Sequence, residues 1–187
     1  IVNSAMQLQK SEQEYKSLFE QNPDAVFSLD LTGRFTHANE ALCNLAGFSK
    51  NSILNMNGYP FLKNRESKKI FLNFKRASQG YPRQYEATFI SREGREVYVH
   101  ITNMPIIVNN QIVGVHGVAK DISKKKHLES LLKKVNDLAR IGGWEVDLTQ
   151  RKVKWTRVTR ELHEVGHSFK PNLEKGIEFY AAGKSRD

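Results

Sequence analysis

The stretch Asn22–Ala41, NPDAVFSLDLTGRFTHANEA, contains a helix stop, a hairpin and a helix start within twenty residues. Asn22-Pro23 ends the preceding helix, because proline cannot donate a backbone hydrogen bond. Ala25 to Asp30 is apolar in the alternating manner of a strand, the letters LTGR provide a turn, and Phe35 to Ala38 returns as its partner. Asn39 is a typical N-cap residue. The stretch therefore predicts a helix, a two-stranded hairpin and a second helix in that order.

Helical and strand patterns continue on both sides of this stretch. Upstream, Ser11 to Gln21 has Tyr15, Leu18 and Phe19 on one helical face. Downstream, the spacing predicts helices over Glu40–Leu45, Ser49–Leu54 and Glu66–Ser78, the last with Ile70, Phe71 and Phe74 inward. Strands with clean alternation follow at Arg83–Ile90, Glu96–Met104 and Ile112–Ile122. This order predicts an α+β fold, in which helices cover one face of an antiparallel sheet.

Charge and composition limit the function classes. The formal net charge is +9 over 187 residues, but residues 1–123 contribute only +3 and residues 124–187 contribute +6. We interpret the surplus as solvated helix surface and expect no nucleic-acid partner, because no DNA-binding motif accompanies it. No apolar run approaches the roughly 20 residues that span a bilayer, so we expect no membrane contact. A lone cysteine, Cys43, suits a reducing cytoplasm.

The order of elements resembles the PAS family of sensor domains over residues 14–123. The resemblance rests on the words NPDAV, DLTGR and ANEA within residues 22–41 and on the ending Asp121-Ile122-Ser123. It implies a five-stranded antiparallel sheet of order 2-1-5-4-3 with a ligand-sized hollow between the sheet and its helices. It also implies that Asp121, Ile122 and Ser123 form the junction between the last strand and a signalling helix.

An internal repeat indicates how the rest of the chain is organised. A shift of 117 residues aligns Phe27 with Trp144, Asp30 with Asp147 and Asn39 with Thr156. We therefore interpret residues 138–187 as the start of a second, incomplete PAS domain, which we expect to be loosely folded, disordered or completed by another chain. Residues 1–13 are a helical extension, and residues 124–137 are a helical, coiled-coil-like linker.

Known PAS cofactors do not fit the residues present. The resemblance places the reactive cysteine of flavin photoreceptors in residues 59–65, which contain none, and Cys43 lies in an earlier helix, where we interpret it as a packing residue. The haem ligand of other members is a histidine of the long helix, which has none, and we interpret His37, His100 and His116 as exposed or structural. We expect no flavin, haem or metal, and no catalytic residues.

The predicted interior leaves two interpretations open. It is either a filled core or a modest apolar pocket for a small metabolite, with Tyr59 or Tyr85 able to supply a polar contact. The expected lining consists of aliphatic and aromatic residues of the strands and helices: Phe27, Leu29, Leu42, Leu45, Leu54, Met56, Phe71, Phe74, Phe89, Val99, Ile101 and Ala119.

The combined pattern predicts a cytoplasmic sensory module that transmits a signal through its flanking helices. The resemblance favours a covalently linked histidine kinase of a two-component system as the output. Any membrane anchor of the parent protein is expected outside this chain. The alternatives are a cyclic-dinucleotide enzyme, a transcription regulator or a dimerising domain without ligand. We expect a homodimer through apolar stripes on the flanking helices, formed by Leu18, Phe19, Leu128, Leu131, Val135 and Leu138. The alternative is a linker that folds back on its own sheet.

Overall fold

The computed structural model describes residues 2–56, 64–166 and 168–172. The chain divides into two compact units, Ile1–Lys126 and His127–Asp187. The first unit contains, in chain order, the elements α1 (Val2–Glu20), β1 (Ala25–Asp30), β2 (Phe35–Ala38), α2 (Glu40–Ala46), α3 (Lys50–Leu54), α4 (Asn64–Ala77), β3 (Arg83–Ile90), β4 (Glu96–Val108) and β5 (Gln111–Asp121).

The five strands form one antiparallel sheet of order β2-β1-β5-β4-β3, as the family resemblance predicted. Strand β1 lies between β2 and β5, with Phe27 opposite Ala38 on one side and opposite Gly117 on the other. The α+β fold class is therefore confirmed. The strands on either side of the helical segment meet at the centre of the sheet, which brings the hairpin of the opening stretch against the last strand.

One face of the sheet is buried because apolar residues alternate along its strands. In β4, Val97, Val99 and Ile101 are buried, and they pack in one cluster with Leu42 of α2 and Ile53 of α3. Burying side chains of this size contributes roughly 1.5–3 kcal/mol each relative to exposure. The helices α2 and α3 are thus held against the sheet by the alternation that the sequence shows.

Asn39 joins three elements at the start of α2. Its side-chain oxygen accepts hydrogen bonds from the backbone N–H groups of Val26, at 3.0 Å, and Leu42, at 2.9 Å. Its amide nitrogen lies within hydrogen-bond distance of the backbone oxygens of Phe19, at 3.2 Å, and Asp24, at 3.0 Å. Asn39 is 0% exposed, so these bonds satisfy polar groups that water cannot reach.

The predicted helical extension and the first predicted helix form one continuous helix. Helix α1 begins at Val2 and runs without a break through the expected boundary at residue 13. The segment contains no proline or glycine, so nothing in it stops the helix before Asn22-Pro23. The prediction relied on apolar periodicity, which the exposed first half of α1 lacks.

Strand β4 continues to Val108, beyond the predicted end at Met104, although it contains Pro105. The pairing of β4 with β3 ends at Asn103, so β4 is an edge strand where the proline lies. Proline is tolerated at an edge because its missing N–H has no neighbouring strand to bond. Asn109 and Asn110 close the β4–β5 hairpin with positive φ angles of 49° and 62°.

The second unit holds most of α5 (Ser123–Leu138), the hairpin of β6 (Trp144–Asp147) and β7 (Lys152–Trp155), and α6 (Arg157–Leu162). Strand β7 and helix α6 begin 117 residues after β2 and α2. Thr156 caps α6 by accepting a hydrogen bond from Thr159, at the position where Asn39 caps α2. The described part of the predicted repeat thus has the same order of elements as β1, β2 and α2 of the first unit, a hairpin followed by a helix. Residues 173–187 of the predicted second domain lie outside the described residues.

We predict that Asn39→Ala lowers the free energy of unfolding by about 3 kcal/mol, since it removes an N-cap and leaves buried backbone groups unpaired. Chemical denaturation followed by circular dichroism measures this change. The matched control is Asn44→Ala on the exposed face of the same helix, which should change stability by no more than about 0.5 kcal/mol. Equal effects of the two substitutions would show that Asn39 has no special role.

Candidate functional site

A cavity of about 100 Å³ lies in the first unit between the buried face of the sheet and the helices α2, α3 and α4. Its walls are mostly aromatic and aliphatic, and the described residues that line it are Phe27, Leu29, Phe35, Leu42, Leu45, Ala46, Ile53, Ile70, Phe74, Tyr85, Phe89, Val99, Ile101, Asn103 and Ala119. The interior of this domain is therefore neither completely filled nor large.

The structure brings most of the predicted lining residues together. Those at the cavity are Phe27, Leu29, Leu42, Leu45, Phe74, Phe89, Val99, Ile101 and Ala119. Leu54, Met56 and Phe71 do not line it, and Phe71 is 45% exposed. For Leu54 and Phe71 the helical phase is the reason: Ile53 and Ile70 occupy the inward positions, and the next residue on a helix points about 100° away. Met56 lies beyond the end of α3. Tyr59, named as a polar contact, lies outside the described residues.

The cavity is also lined by Phe35 and Asn103, which were not predicted, although the register of their strands indicates that both point inward. Phe35 pairs with Leu29 across the first hairpin, so it shares the inner face. Asn103 has the same parity in β4 as Val99 and Ile101, but its polar side chain argued against an inward position. The pattern of alternation was therefore correct. Tyr85, which was predicted as a polar contact, lines the cavity together with Asn103, which was not predicted.

Aromatic rings narrow the cavity under β1. The rings of Phe27 and Phe35 pack edge to face with centroids 5.6 Å apart. Phe27 lies directly over Gly117 of β5, and a Cβ atom at this glycine would overlap the phenyl ring. Gly117 thus makes room for a large side chain that occupies part of the interior.

The polar groups of the cavity form a pair at one end. The amide nitrogen of Asn103 donates a hydrogen bond to the hydroxyl oxygen of Tyr85 at 3.2 Å. Asn103 is 2% exposed, and its side-chain oxygen has no hydrogen-bond partner among the described residues. The remaining lining residues are apolar, so this pair supplies the directional contacts that a bound molecule could use.

The described residues offer no metal site, and the thiol of Cys43 does not line the cavity. Within the described ranges, no group of three or more His, Cys, Asp or Glu side chains could hold a metal ion. Cys43 packs half-buried against the core from α2, and burial raises the pKa of its thiol. A raised pKa disfavours the reactive thiolate, which supports its interpretation as a packing residue.

His37 and His116 lie beneath α1, on the face of the sheet opposite the cavity. The ring of His116 is 6.3 Å from that of Tyr15, and the ring of His37 is 6.2 Å from that of Phe19. His116 Nδ1 is 2.9 Å from the hydroxyl oxygen of Ser28. Desolvation by burial lowers the pKa of His116, and His37 lowers it further. The contacts of His116 fit a structural role.

The predicted signalling junction is tied to β4 by backbone contacts. Ile122 N–H donates to the carbonyl oxygen of Tyr98 at 2.8 Å, and Tyr98 N–H donates to the hydroxyl of Ser123 at 3.0 Å. Asp121 accepts a hydrogen bond from the Ser123 N–H at 2.8 Å. The start of α5 is thus fixed to the strand that lines the cavity with Val99, Ile101 and Asn103.

An ion pair makes a second tie to the start of α5. Lys126 Nζ lies 2.8 Å from Glu86 Oε2 of β3, and this pairing is the main reason that the pKa of Glu86 is lowered. Glu86 directly follows Tyr85, so the two side chains point to opposite faces of the same strand. A shift of β3 that moved Tyr85 in the cavity would therefore move the partner of Lys126 on the other face.

The residues predicted to form a dimer surface divide into two groups. Leu18 is 75% exposed, and the linker side chains are also exposed: Leu128, Leu131, Val135 and Leu138. Phe19 is 7% exposed, which contradicts its assignment to this surface. The helix turns Phe19 onto the sheet, where it contacts the ring of His37. Leu18 in the first unit and the linker residues in the second are therefore exposed, and Phe19 is not.

We predict that His116 makes the domain less stable as the pH falls below the unfolded-state histidine pKa of about 6.5. The lowered pKa means that the unfolded chain takes up the proton first, so stability is present above this value and is lost towards the folded pKa.

Urea unfolding at about pH 7.5 and pH 5.5 tests the prediction. His116→Asn should show a smaller difference between the two conditions than the wild type. The control His127→Asn replaces an exposed histidine and should keep the wild-type difference. An unchanged difference in His116→Asn would refute the role of His116.

Comparison with known proteins agrees with the geometry. Residues 13–122 match the family model described as the PAS fold. The chain is 26% identical over 165 residues to the signaling protein YkoW of Bacillus subtilis, and the match covers 87% of the chain but only 19% of that protein. The chain thus spans about a fifth of the length of this curated relative.

Solved structures show the same fold. A PAS domain from Colwellia psychrerythraea has a TM-score of 0.55 and 25% identity, over 60% of this chain and 97% of that chain. A domain of a sensory box sensor histidine kinase/response regulator from Geobacter sulfurreducens has a TM-score of 0.54 and 23% identity, over 61% and 96% of the two chains. The sheet order, the cavity and the family match lead to one conclusion: the chain belongs to the PAS family of sensory domains.

Proposed function

We propose that this chain is a cytoplasmic sensory module in which occupancy of the PAS cavity changes how the first turn of α5 is held. The observation that carries the proposal is the adjacency of Tyr85 and Glu86 in β3. Tyr85 lines the cavity, and Glu86 pairs with Lys126 of α5 on the opposite face. A molecule that displaces Tyr85 would therefore alter a contact of the helix that leaves the domain.

The ion pair between Glu86 and Lys126 is weak enough to be broken and re-formed in a switch. Glu86 and Lys126 are partly exposed, and an exposed ion pair contributes little to stability because water screens it. The bonds of Ile122 and Ser123 to Tyr98 add a second, directional restraint. A two-state equilibrium held by contacts of this size can be shifted by a ligand that binds the two states with modestly different affinities.

For the output we propose a histidine kinase of a two-component system, in a parent protein of which this chain is one part. The Bacillus relative is a signaling protein about five times as long as the matched region, which supports a linked output domain. The alternatives are a cyclic-dinucleotide enzyme and a transcription regulator. The parent sequence after residue 187 distinguishes them: a helix with a phosphorylatable histidine and an ATP-binding domain support the kinase, and their absence refutes it.

For the ligand we propose a small molecule rather than a flavin, a haem or a metal. The support is the size of the cavity, about 100 Å³, and its apolar walls. The competing proposal is a domain that dimerises without a ligand, with the cavity as a packing defect. In neither proposal does the chain bind nucleic acid or a membrane. Among the described residues, no helix is long and apolar enough to cross a bilayer.

For the partner we propose a second copy of this chain, paired through α5. Leu131 and Val135 are exposed on α5 and lie four residues apart on one helical face. Pairing would bury this stripe, while the neighbouring lysines keep the association weak. The competing arrangement is a helix that folds back on its own domain.

We predict that native mass spectrometry of the purified chain detects a retained small molecule and that the solution is colourless. Ala119→Leu should abolish the retained mass, because Ala119 lines the cavity and three added carbons fill it. Val118→Leu is the control on the neighbouring position, which faces the other side of the sheet. A blue-absorbing flavin or a Soret band would contradict the proposal, as would retention of the same mass by both variants.

We predict that Glu86→Gln increases amide hydrogen exchange about two-fold at Lys126, whose N–H donates to the Ile122 carbonyl, since the loss of an exposed ion pair weakens the first turn of α5 by a fraction of a kcal/mol. The control Glu14→Gln removes another exposed ion pair, to Lys10 in α1, and should leave this amide unchanged. Equal exchange in the wild type and Glu86→Gln would remove the ion pair from the mechanism.

We predict a weak dimer by light scattering in the micromolar range, and a monomer for Leu131→Asp with Val135→Asp. Charged residues in the stripe would have to be desolvated on pairing. The control variant, Lys133→Asp with Asn136→Asp, places two aspartates on the opposite face of α5 and should still dimerise. A wild-type monomer at every concentration would contradict the proposed partner.

A further inference from the structure

The cavity contains one buried hydrogen-bond acceptor without a partner. Asn103 is 2% exposed, it lines the cavity, and its side-chain oxygen accepts no hydrogen bond among the described residues. Leaving such a group unpaired is unfavourable, because burial removes its hydrogen bonds to water without replacing them. A bound molecule that donated a hydrogen bond to this oxygen would remove that cost.

Tyr85 is the hydrogen-bond partner of the Asn103 amide nitrogen. The nitrogen donates to the Tyr85 hydroxyl at 3.2 Å, and the side-chain oxygen of Asn103 is the group left without a partner. The two residues lie on neighbouring strands, and Tyr85 is paired with Ile101, two residues from Asn103. The polar pair of the cavity therefore consists of one hydrogen bond and one acceptor without a partner, the Asn103 side-chain oxygen.

The rest of the lining specifies a neutral, ring-shaped molecule. No charged side chain is present among the described lining residues, so an ionised ligand would lose its hydration without compensation. Four phenylalanines, Phe27, Phe35, Phe74 and Phe89, line the cavity and favour contact with an aromatic ring. Its volume of about 100 Å³ is smaller than the roughly 150 Å³ of an engineered cavity that binds benzene, so a bound molecule contains at most one ring.

We propose that the cavity selects a neutral single-ring molecule with one hydrogen-bond donor, of the phenol class, which donates to the Asn103 side-chain oxygen. This inference rests on the proposed function, because it requires that the cavity takes up a ligand. Beyond that function, we assign the specificity of the cavity to the Asn103 oxygen, which recognises a hydroxyl donor on the ligand.

The test compares three probes by calorimetric titration of the intact chain after removal of any retained compound. Phenol offers a donor, toluene has the same number of heavy atoms without a donor, and pyridine offers only an acceptor. We expect phenol to bind at least ten-fold more tightly than toluene or pyridine, since a buried acceptor rejects a ligand that leaves it unpaired.

The variant Asn103→Leu should bind toluene and phenol with equal affinity, because leucine removes the acceptor and keeps a side chain of similar size. Tyr85→Phe provides a second variant, in which the amide loses the contact that orients it. We expect its preference for phenol over toluene to fall while its affinity for toluene is kept. The wild-type comparison of the three probes tests the inference even if neither variant folds.

Three other results of these titrations would contradict the inference. Equal wild-type affinities for phenol and toluene would overturn the role of Asn103. They would not contradict the proposal that the cavity binds a small molecule. A preference for pyridine would overturn the inference too, because it would mean that the amide presents its N–H group. Binding of none of the three probes at millimolar concentration, together with no retained mass in native mass spectrometry, would overturn both this inference and the proposed ligand function.

Discussion

The buried amide of Asn39 is the interaction on which the rest of the domain depends. It accepts hydrogen bonds from β1 and α2 and contacts backbone oxygens at the end of α1 and before β1. These contacts fix where the chain leaves the hairpin and where the helices begin to cover the sheet. The helices that enclose the cavity are placed by this one residue and by the apolar cluster around Val99 and Ile53.

The cavity and the outgoing helix are joined through two neighbouring strands. Strand β4 contributes Asn103 to the cavity and Tyr98 to the junction, whereas β3 contributes Tyr85 to the cavity and Glu86 to the ion pair with α5. Because a β-strand alternates its side chains between two faces, a shift of β3 or β4 inside the domain would also move the side chains on the opposite face. The same sheet therefore lines the cavity and holds the helix.

Local chemistry in the sequence was sufficient to predict the hairpin, the cap at Asn39 and the inward residues of the strands. The errors arose where two patterns compete. Ile70, Phe71 and Phe74 are all apolar, so composition could not show that Phe71 faces solvent. Asn103 was missed because a polar side chain on a buried face contradicts the usual pattern, and such exceptions are expected at functional sites. The continuation of β4 through Pro105 depends on where β3 ends, which is a tertiary property.

The central claim is that occupancy of the cavity is linked to the start of α5. The most direct measurement is amide hydrogen exchange of the intact chain with and without saturating phenol, read at Ile122 and Lys126, whose N–H groups bond to Tyr98 and Ile122. We expect the exchange rates of both amides to change together with those of the cavity strands. Changes confined to residues that line the cavity, with the exchange of Ile122 and Lys126 unaltered, would contradict the claim.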